Sequence, residues 1–122
     1  MLSEVGKRTE ETLLKHLQAF GSGDIDALMT DYDEGAVMIV PDGPLRVTAE
    51  RRSFFESLLA DFPPGSAFEV SEQIIEGEIA YIIWSGESEK LTVPFATDTF
   101  VMRDGKIIAQ TFAAQMEKKA SA

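Results

Sequence analysis

The sequence contains no cysteine. Disulfides and thiolate chemistry are therefore excluded, and thiol usage leaves the redox compartment open. There is a single histidine, so only carboxylates remain as metal ligands in any number. Asp31, Asp33 and Glu34 cluster, but such runs form solvated turns, and no metal is expected. Basic residues are scarce: 11 Lys and Arg stand against 21 Asp and Glu, for a net charge of −10. Phosphate binding needs clustered cations, so neither nucleic acid nor an anionic membrane is an expected partner. Long apolar runs are missing too. The longest, about Ala36 to Pro41, is far short of the roughly 20 residues that span a bilayer. The opening residues MLSEVGKRTEE lack the apolar stretch of a signal peptide, so a cytoplasmic location is the expectation. No glycine-rich phosphate loop, no GxSxG, no internal repeat and no low-complexity segment occurs.

What remains is an ordinary composition for one folded unit. The chain has 122 residues, 44% of them hydrophobic. A domain of that size buries roughly two thirds of its unfolded surface and needs no staples. A single domain over residues 1–122 is expected, with 117–122 as a frayed tail.

Helical periodicity comes first. Val5, Leu13, Leu17 and Phe20 form one stripe of a helix over Glu4 to Phe20, with Thr9 and His16 in the same arc. Gly21-Ser22-Gly23 ends it. Asp24 is a good N-cap for a short second helix, with Ile25, Leu28, Met29 and Tyr32 at i, i+3, i+4 and i+7. Ala36 to Val40 reads as a short buried strand. Thr48 can cap a third helix to about Asp61, with Phe54, Phe55, Leu58, Leu59 and Phe62 on its apolar face, and Pro63-Pro64-Gly65 stops it. Strands follow at Phe68 to Ile75, Glu78 to Ser85, Leu91 to Arg103 and Lys106 to Met116. Helices first and a strand meander after them mean an α+β fold, with the helices over one face of an antiparallel sheet. A pocket between the two layers is the default ligand site.

The last hairpin fixes the place to look. Asp104-Gly105 is a two-residue type I′ turn signal. Counting outward from Arg103 opposite Lys106 pairs Met102 with Ile107, Phe100 with Ala109, Asp98 with Thr111 and Ala96 with Ala113. That face is apolar except for Asp98 and Thr111, so it is expected to meet the helices and to carry a carboxylate into an apolar layer. The opposite face holds Thr97, Thr99, Val101, Gln110 and Phe112.

Asp98 in an apolar wall would have its charged form disfavoured, making it a proton donor; alternatively it is a structural carboxylate bonded to Thr111 or a backbone amide. His16 could act as a general base or bond a ligand, or be a satisfied histidine at the edge of a helix stripe. Tyr32, on the second helix's stripe, needs a partner for its hydroxyl if buried. A four-residue turn at Glu87 to Lys90 places Tyr81 on the Asp98 face and Trp84 outside; a slip or a bulge reverses this. Phe54, Phe55, Phe68 and Phe100 are most simply core, with Phe54 and Phe100 also candidates for binding a ligand.

Three stretches, LQAFGSGDIDALMTDYDEGAVMIVPDG, LRVTAERRSFFESLL and FATDTFVMRDGKIIAQTF, resemble the nuclear transport factor 2-like superfamily, in particular its SnoaL-like and ketosteroid-isomerase-like small members. The resemblance covers nearly the whole chain. It implies a cone-shaped barrel, a curved antiparallel sheet wrapped over three N-terminal helices, usually dimerised through the outer face of the sheet. Asp98 falls where ketosteroid isomerases keep a protonated aspartic acid. His16 falls at their oxyanion-hole tyrosine, and Val40 at their general-base aspartate. With that base missing, steroid isomerisation by that mechanism is not expected. The superfamily's chemistry implies cofactor-free isomerisation, dehydration or cyclisation of a small apolar or carbonyl-containing molecule by His16 and Asp98. A non-catalytic binding or dimerisation module of the same fold is the alternative.

Overall fold

Ser3 opens the first helix by accepting a hydrogen bond on its Oγ from the Gly6 amide at 3.0 Å, as an N-cap does. The helix, α1, runs Glu4–Ser22 and ends at Gly23, whose φ of 69° is the left-handed conformation glycine tolerates. The computed structural model describes residues 2–120. Asp24 caps α2 (Ile25–Thr30) through the Ala27 amide at 3.1 Å. Then come β1 (Tyr32–Val40), β2 (Gly43–Leu45), α3 (Thr48–Asp61), β3 (Ala67–Glu76), β4 (Ile79–Glu87), β5 (Leu91–Arg103) and β6 (Lys106–Lys118). Glu50 tightens the start of α3, its carboxylate accepting from the Arg46 and Val47 amides at 2.8 and 3.3 Å.

The six strands form one curved, open sheet in the order β2-β1-β6-β5-β4-β3. The helices lie across its concave face, which gives the α+β cone. The meander from β3 to β6 is antiparallel, but β1 pairs with β6 in parallel, so the sheet is mixed rather than wholly antiparallel. Parallel neighbours need a long connection, and everything from α3 to β5 supplies it.

Several details depart from the sequence reading. Tyr32 begins a strand and does not extend the second helix; the helical spacing was an accident of the Asp31 turn. Val5 is exposed, and the buried side of α1 is Thr9, Leu13, His16 and Phe20. The strand β2 had no signal beyond its turn. The tail expected to fray at 117 keeps pairing through Lys118 opposite Leu91; residues 121–122 lie outside the described residues.

Bulges reset which side chains face the helices. Asp104 and Gly105 have φ of 52° and 76°, as a type I′ turn requires. Arg103 opposes Lys106 and Met102 opposes Ile107, as counted. The register then shifts: Val101 opposes Ala109, and Asp98 opposes Phe112. Ile108 is the extra residue. A single insertion sends every later side chain to the other face, so Gln110 and Phe112 turn inward and Thr111 outward. A second shift falls between Thr92 and Phe95, around Pro94, which has no amide to offer a ladder. It sets Tyr81 opposite Thr99 and Ile82 opposite Asp98. The concave face therefore carries Ala80, Ile82, Trp84, Ala96, Asp98, Phe100 and Met102, all buried.

Candidate functional site

Asp98 lies at the centre of the concave face, 6% exposed. Its partner is not Thr111, which is exposed on the far side. Instead Trp84 Nε1 donates to Oδ1 and Gln110 Nε2 donates to Oδ2, each at 2.8 Å. Tyr32, 6% exposed at the start of β1, donates its hydroxyl to Gln110 Oε1 at 2.5 Å. That bond fixes the amide, because a carbonyl oxygen only accepts and the amide nitrogen is then left to donate to Asp98. Both oxygens of the carboxyl group are thus held by groups that donate. Burial pushes the Asp98 carboxyl pKa up; the Trp84 and Gln110 hydrogen bonds, and His16 in its charged form, pull against it without cancelling it. Burial likewise raises the Tyr32 phenol well above its ordinary value.

His16 reaches the same space from α1. It is 3% exposed, with its ring edge-on to Tyr32 and Phe100 at 5.6 and 5.5 Å between centroids. Nδ1 stands 2.9 Å from Asp31 Oδ2. Asp31 is itself buried, and the Lys15 ammonium lies 3.3 Å from its Oδ1. An ion-paired carboxylate can only accept, so Nδ1 carries the proton of that bond. Among the described residues nothing bonds His16 Nε2.

His16 and Asp98 both line one pocket between α1, α3 and the sheet. Its walls are aromatic and aliphatic: Phe20, Phe54, Phe55, Trp84, Phe100 and Phe112 among them. The half-buried Leu17, Phe54, Leu58 and Phe68 stand at its mouth. The free space is about 370 Å³ when the open mouth is counted, but the enclosed interior is only about 30 Å³, room for one or two waters. The smaller figure describes the closed pocket, since the larger includes solvent outside the rim.

The other expected site residues divide. Phe54 and Phe100 line the pocket, and Tyr32 acts from behind it through Gln110. Val40 is buried in β1 but is not among the lining residues. Tyr81 and Thr111 are corrections, because the bulges turn both to the convex face, and Trp84 takes the inner place given to Tyr81. Four residues around the site went unread. Gln110 and Trp84 were placed outside by a register without bulges. Asp31 was grouped with Asp33 and Glu34 as a solvated turn. Only the exposure holds, and only for Asp33 and Glu34, which belong to β1 rather than a turn; Asp33 Oδ2 accepts from the Gly35 amide at 2.9 Å. The spacing of 15 between Asp31 and His16 carries no periodic signal. Arg51 was also missed: it is 1% exposed on α3, donates to the Ala36 carbonyl at 2.8 Å, and sets its guanidinium 5.2 Å from the Tyr32 ring centre. Among the described residues no three His, Asp or Glu side chains gather as metal ligands would. Among the described residues no helix is long and apolar enough to cross a membrane.

Comparison with known proteins agrees with this fold. No curated protein matches the sequence. Among solved structures, a candidate SnoaL-like polyketide cyclase from Jannaschia sp. CCS1 superposes with a TM-score of 0.78 at 17% identity, covering 94% of this chain and 90% of the other. The epoxide hydrolase/cyclase-like enzyme SalBIII, of pyran ring formation in the polyether salinomycin, gives 0.77 at 16% identity, covering 93% and 97%. A candidate ketosteroid isomerase from Kribbella flavida DSM 17836 gives 0.73 at 11% identity, covering 95% and 84%. At these identities the likeness is one of fold. The model of the SnoaL-like domain matches residues 13–110, a span that holds His16, Asp31, Trp84, Asp98 and Gln110, and the chain therefore belongs to the SnoaL-like domain family.

Proposed function

We propose that this protein carries out cofactor-free acid–base chemistry on a small, largely apolar molecule, an isomerisation, dehydration or cyclisation, with His16 and Asp98 as the working pair. One observation carries the reading: the only histidine and the one carboxylate of the concave face open on the same apolar pocket. Each is oriented from behind by a partner outside the pocket lining, Asp31 for His16 and Tyr32 through Gln110 for Asp98. Supporting groups of that kind are what a positioned acid or base needs. Val40, at the place of the ketosteroid isomerase base, keeps that enzyme's route out of the proposal. Fold neighbours described as cyclases and an isomerase are compatible with the class.

The alternative is a binding module without chemistry that uses the same pocket. Proton exchange separates the two. In D2O, the C1 proton of 2-naphthol, a small apolar phenol, should exchange for deuterium faster with the protein than in buffer. His16→Ala and Asp98→Ala should each lose roughly 100-fold of that acceleration or more. Binding without acceleration would leave the module reading standing. We place the protein in the cytoplasm as a homodimer through the convex face. There Ile39, Phe95 and Ile79 are about half exposed beside Tyr81, Ile83 and Val101. The expected patch loses Gln110 and Phe112, which face inward. Sedimentation of the wild type against Thr111→Arg tests it.

A further inference from the structure

We infer that the pocket selects ligands that present a hydrogen-bond donor at their polar end, an alcohol or a phenol, over ligands that present only an acceptor. The inference rests on the proposed site and narrows its ligand class.

Each polar group that opens on the cavity has its hydrogen-bonding sense fixed from outside it. The Asp31 carboxylate, paired with Lys15, accepts the hydrogen bond of His16 Nδ1–H, so the imidazole in its neutral form presents a bare lone pair at Nε2. Tyr32 donates to Gln110 Oε1, which turns the amide nitrogen to Asp98 Oδ2, while the Trp84 indole, a donor that cannot accept, holds Oδ1. A carboxyl group held by two such donors presents its remaining lone pairs. Gln110, the third polar lining group, has its oxygen already engaged by Tyr32. The remaining walls are apolar.

The cavity thus offers two acceptors, His16 Nε2 and Asp98, and its one spare donor is the second N–H of Gln110. A ketone or ether oxygen placed between His16 and Asp98 would face lone pairs on both sides and would lose its bond to water without replacement. A hydroxyl gives its proton to one of them. Sites built to bond a substrate hydroxyl reject analogues that lack it far more strongly than sites that merely sense its bulk. The same polarity fits removal of a proton from the ligand as the first step.

Cyclohexanol, cyclohexanone and methylcyclohexane have nearly the same bulk and differ in this one property. Trp84 is the only tryptophan, so its indole resonance and fluorescence report occupancy directly. Near neutral pH the alcohol should bind about 10-fold or more tighter than either analogue. Long-range proton–nitrogen spectra of the single histidine should show Nδ1 protonated and Nε2 bare. Asp98→Asn, which places an amide donor in the cavity, should reduce the preference to within about 3-fold; the wild-type comparison stands by itself if that variant does not fold. Equal or tighter binding of the ketone overturns the inference and leaves the pocket reading intact. A protonated Nε2 overturns it as well. Failure of all three to bind up to their solubility removes both the inference and the pocket on which it rests.

Discussion

Replacing Asp98 by asparagine should destabilise the fold most at low pH and least at high pH. In the native chain Trp84 and Gln110 each donate to one carboxyl oxygen at 2.8 Å. An amide has one acceptor and two hydrogens to donate, so one of these native donors must meet another N–H. A buried donor stranded in this way costs about 1–3 kcal/mol. The charge works in the other direction. Burial raises the Asp98 pKa above 3.8 more than its hydrogen bonds and His16 lower it. A carboxyl group whose folded pKa exceeds its unfolded one binds more protons when folded. The stability it contributes is fully present below the unfolded value and is lost as pH rises through the folded value. Asparagine carries no such term. The gap between wild type and Asp98→Asn should therefore narrow as pH rises from 3.8. The narrowing is about 1.4 kcal/mol for each unit separating the two values, with a plateau above the folded one. Urea unfolding followed by far-ultraviolet circular dichroism, stepped from about pH 4 to about pH 8, measures it. A gap that widens with pH would refute the reasoning, for the hydrogen bonds would then outweigh burial and Asp98 would be an ordinary stabilised carboxylate.

Three further outcomes follow from the same geometry. Gly86→Ala should cost about 1–3 kcal/mol in a thermal melt. Its Cβ would stand 2.5 Å from the Phe62 ring and 3.0 Å from the Ala67 carbonyl, and an unchanged midpoint would mean that the β3–β4 end is looser than it looks. In an ultraviolet titration Tyr32 should stay protonated beyond its ordinary value of 10.0 because burial raises it, so ionisation of both tyrosines near that value without unfolding would contradict its burial. Deleting Ile108 should restore simple alternation in β6 and withdraw Gln110 and Phe112 from the cavity. We expect a loss of more than about 3 kcal/mol and of the hydrogen-bonded Trp84 indole signal, and a deletion that kept both would show that the bulge does not set the register.

The fold was legible because it is written in repeated local signals. The Thr9, Leu13, His16 and Phe20 arc, the Pro63-Pro64-Gly65 stop and the Asp104-Gly105 turn each rest on several residues that agree. Parity along β5 alone was enough to bring Asp98 beneath the helices, since nothing interrupts the strand between Ala96 and Met102. The face of its neighbours was not legible. Ile108 looks like any strand residue, and a bulge there is chosen by how the curved sheet closes over α1 and α3. Pro94 gave a hint, since a proline inside a strand pattern marks an edge or a bulge, and weighing it would have moved Trp84 inward and Tyr81 out.

The hidden half of the site has a different cause. Asp31 sits in the run DYDE, where exposure is the default for an acidic residue. It is buried because α2 stops one turn early, at Thr30, and its backbone carbonyl accepts from the Ile107 amide at 2.8 Å. That bond draws the start of β1 against β6 and carries the Asp31 carboxylate beneath α1, where His16 and Lys15 meet it from one helix. The partners come from residues 15, 16, 31 and 107, and no window of local periodicity spans them. The sequence shows a histidine on a buried stripe; only the packing of the α2–β1 corner on β6 decides which nitrogen holds the proton and which faces the pocket. In the proposed site, what can bind therefore depends on a contact formed at long range, behind the residues that would touch a ligand.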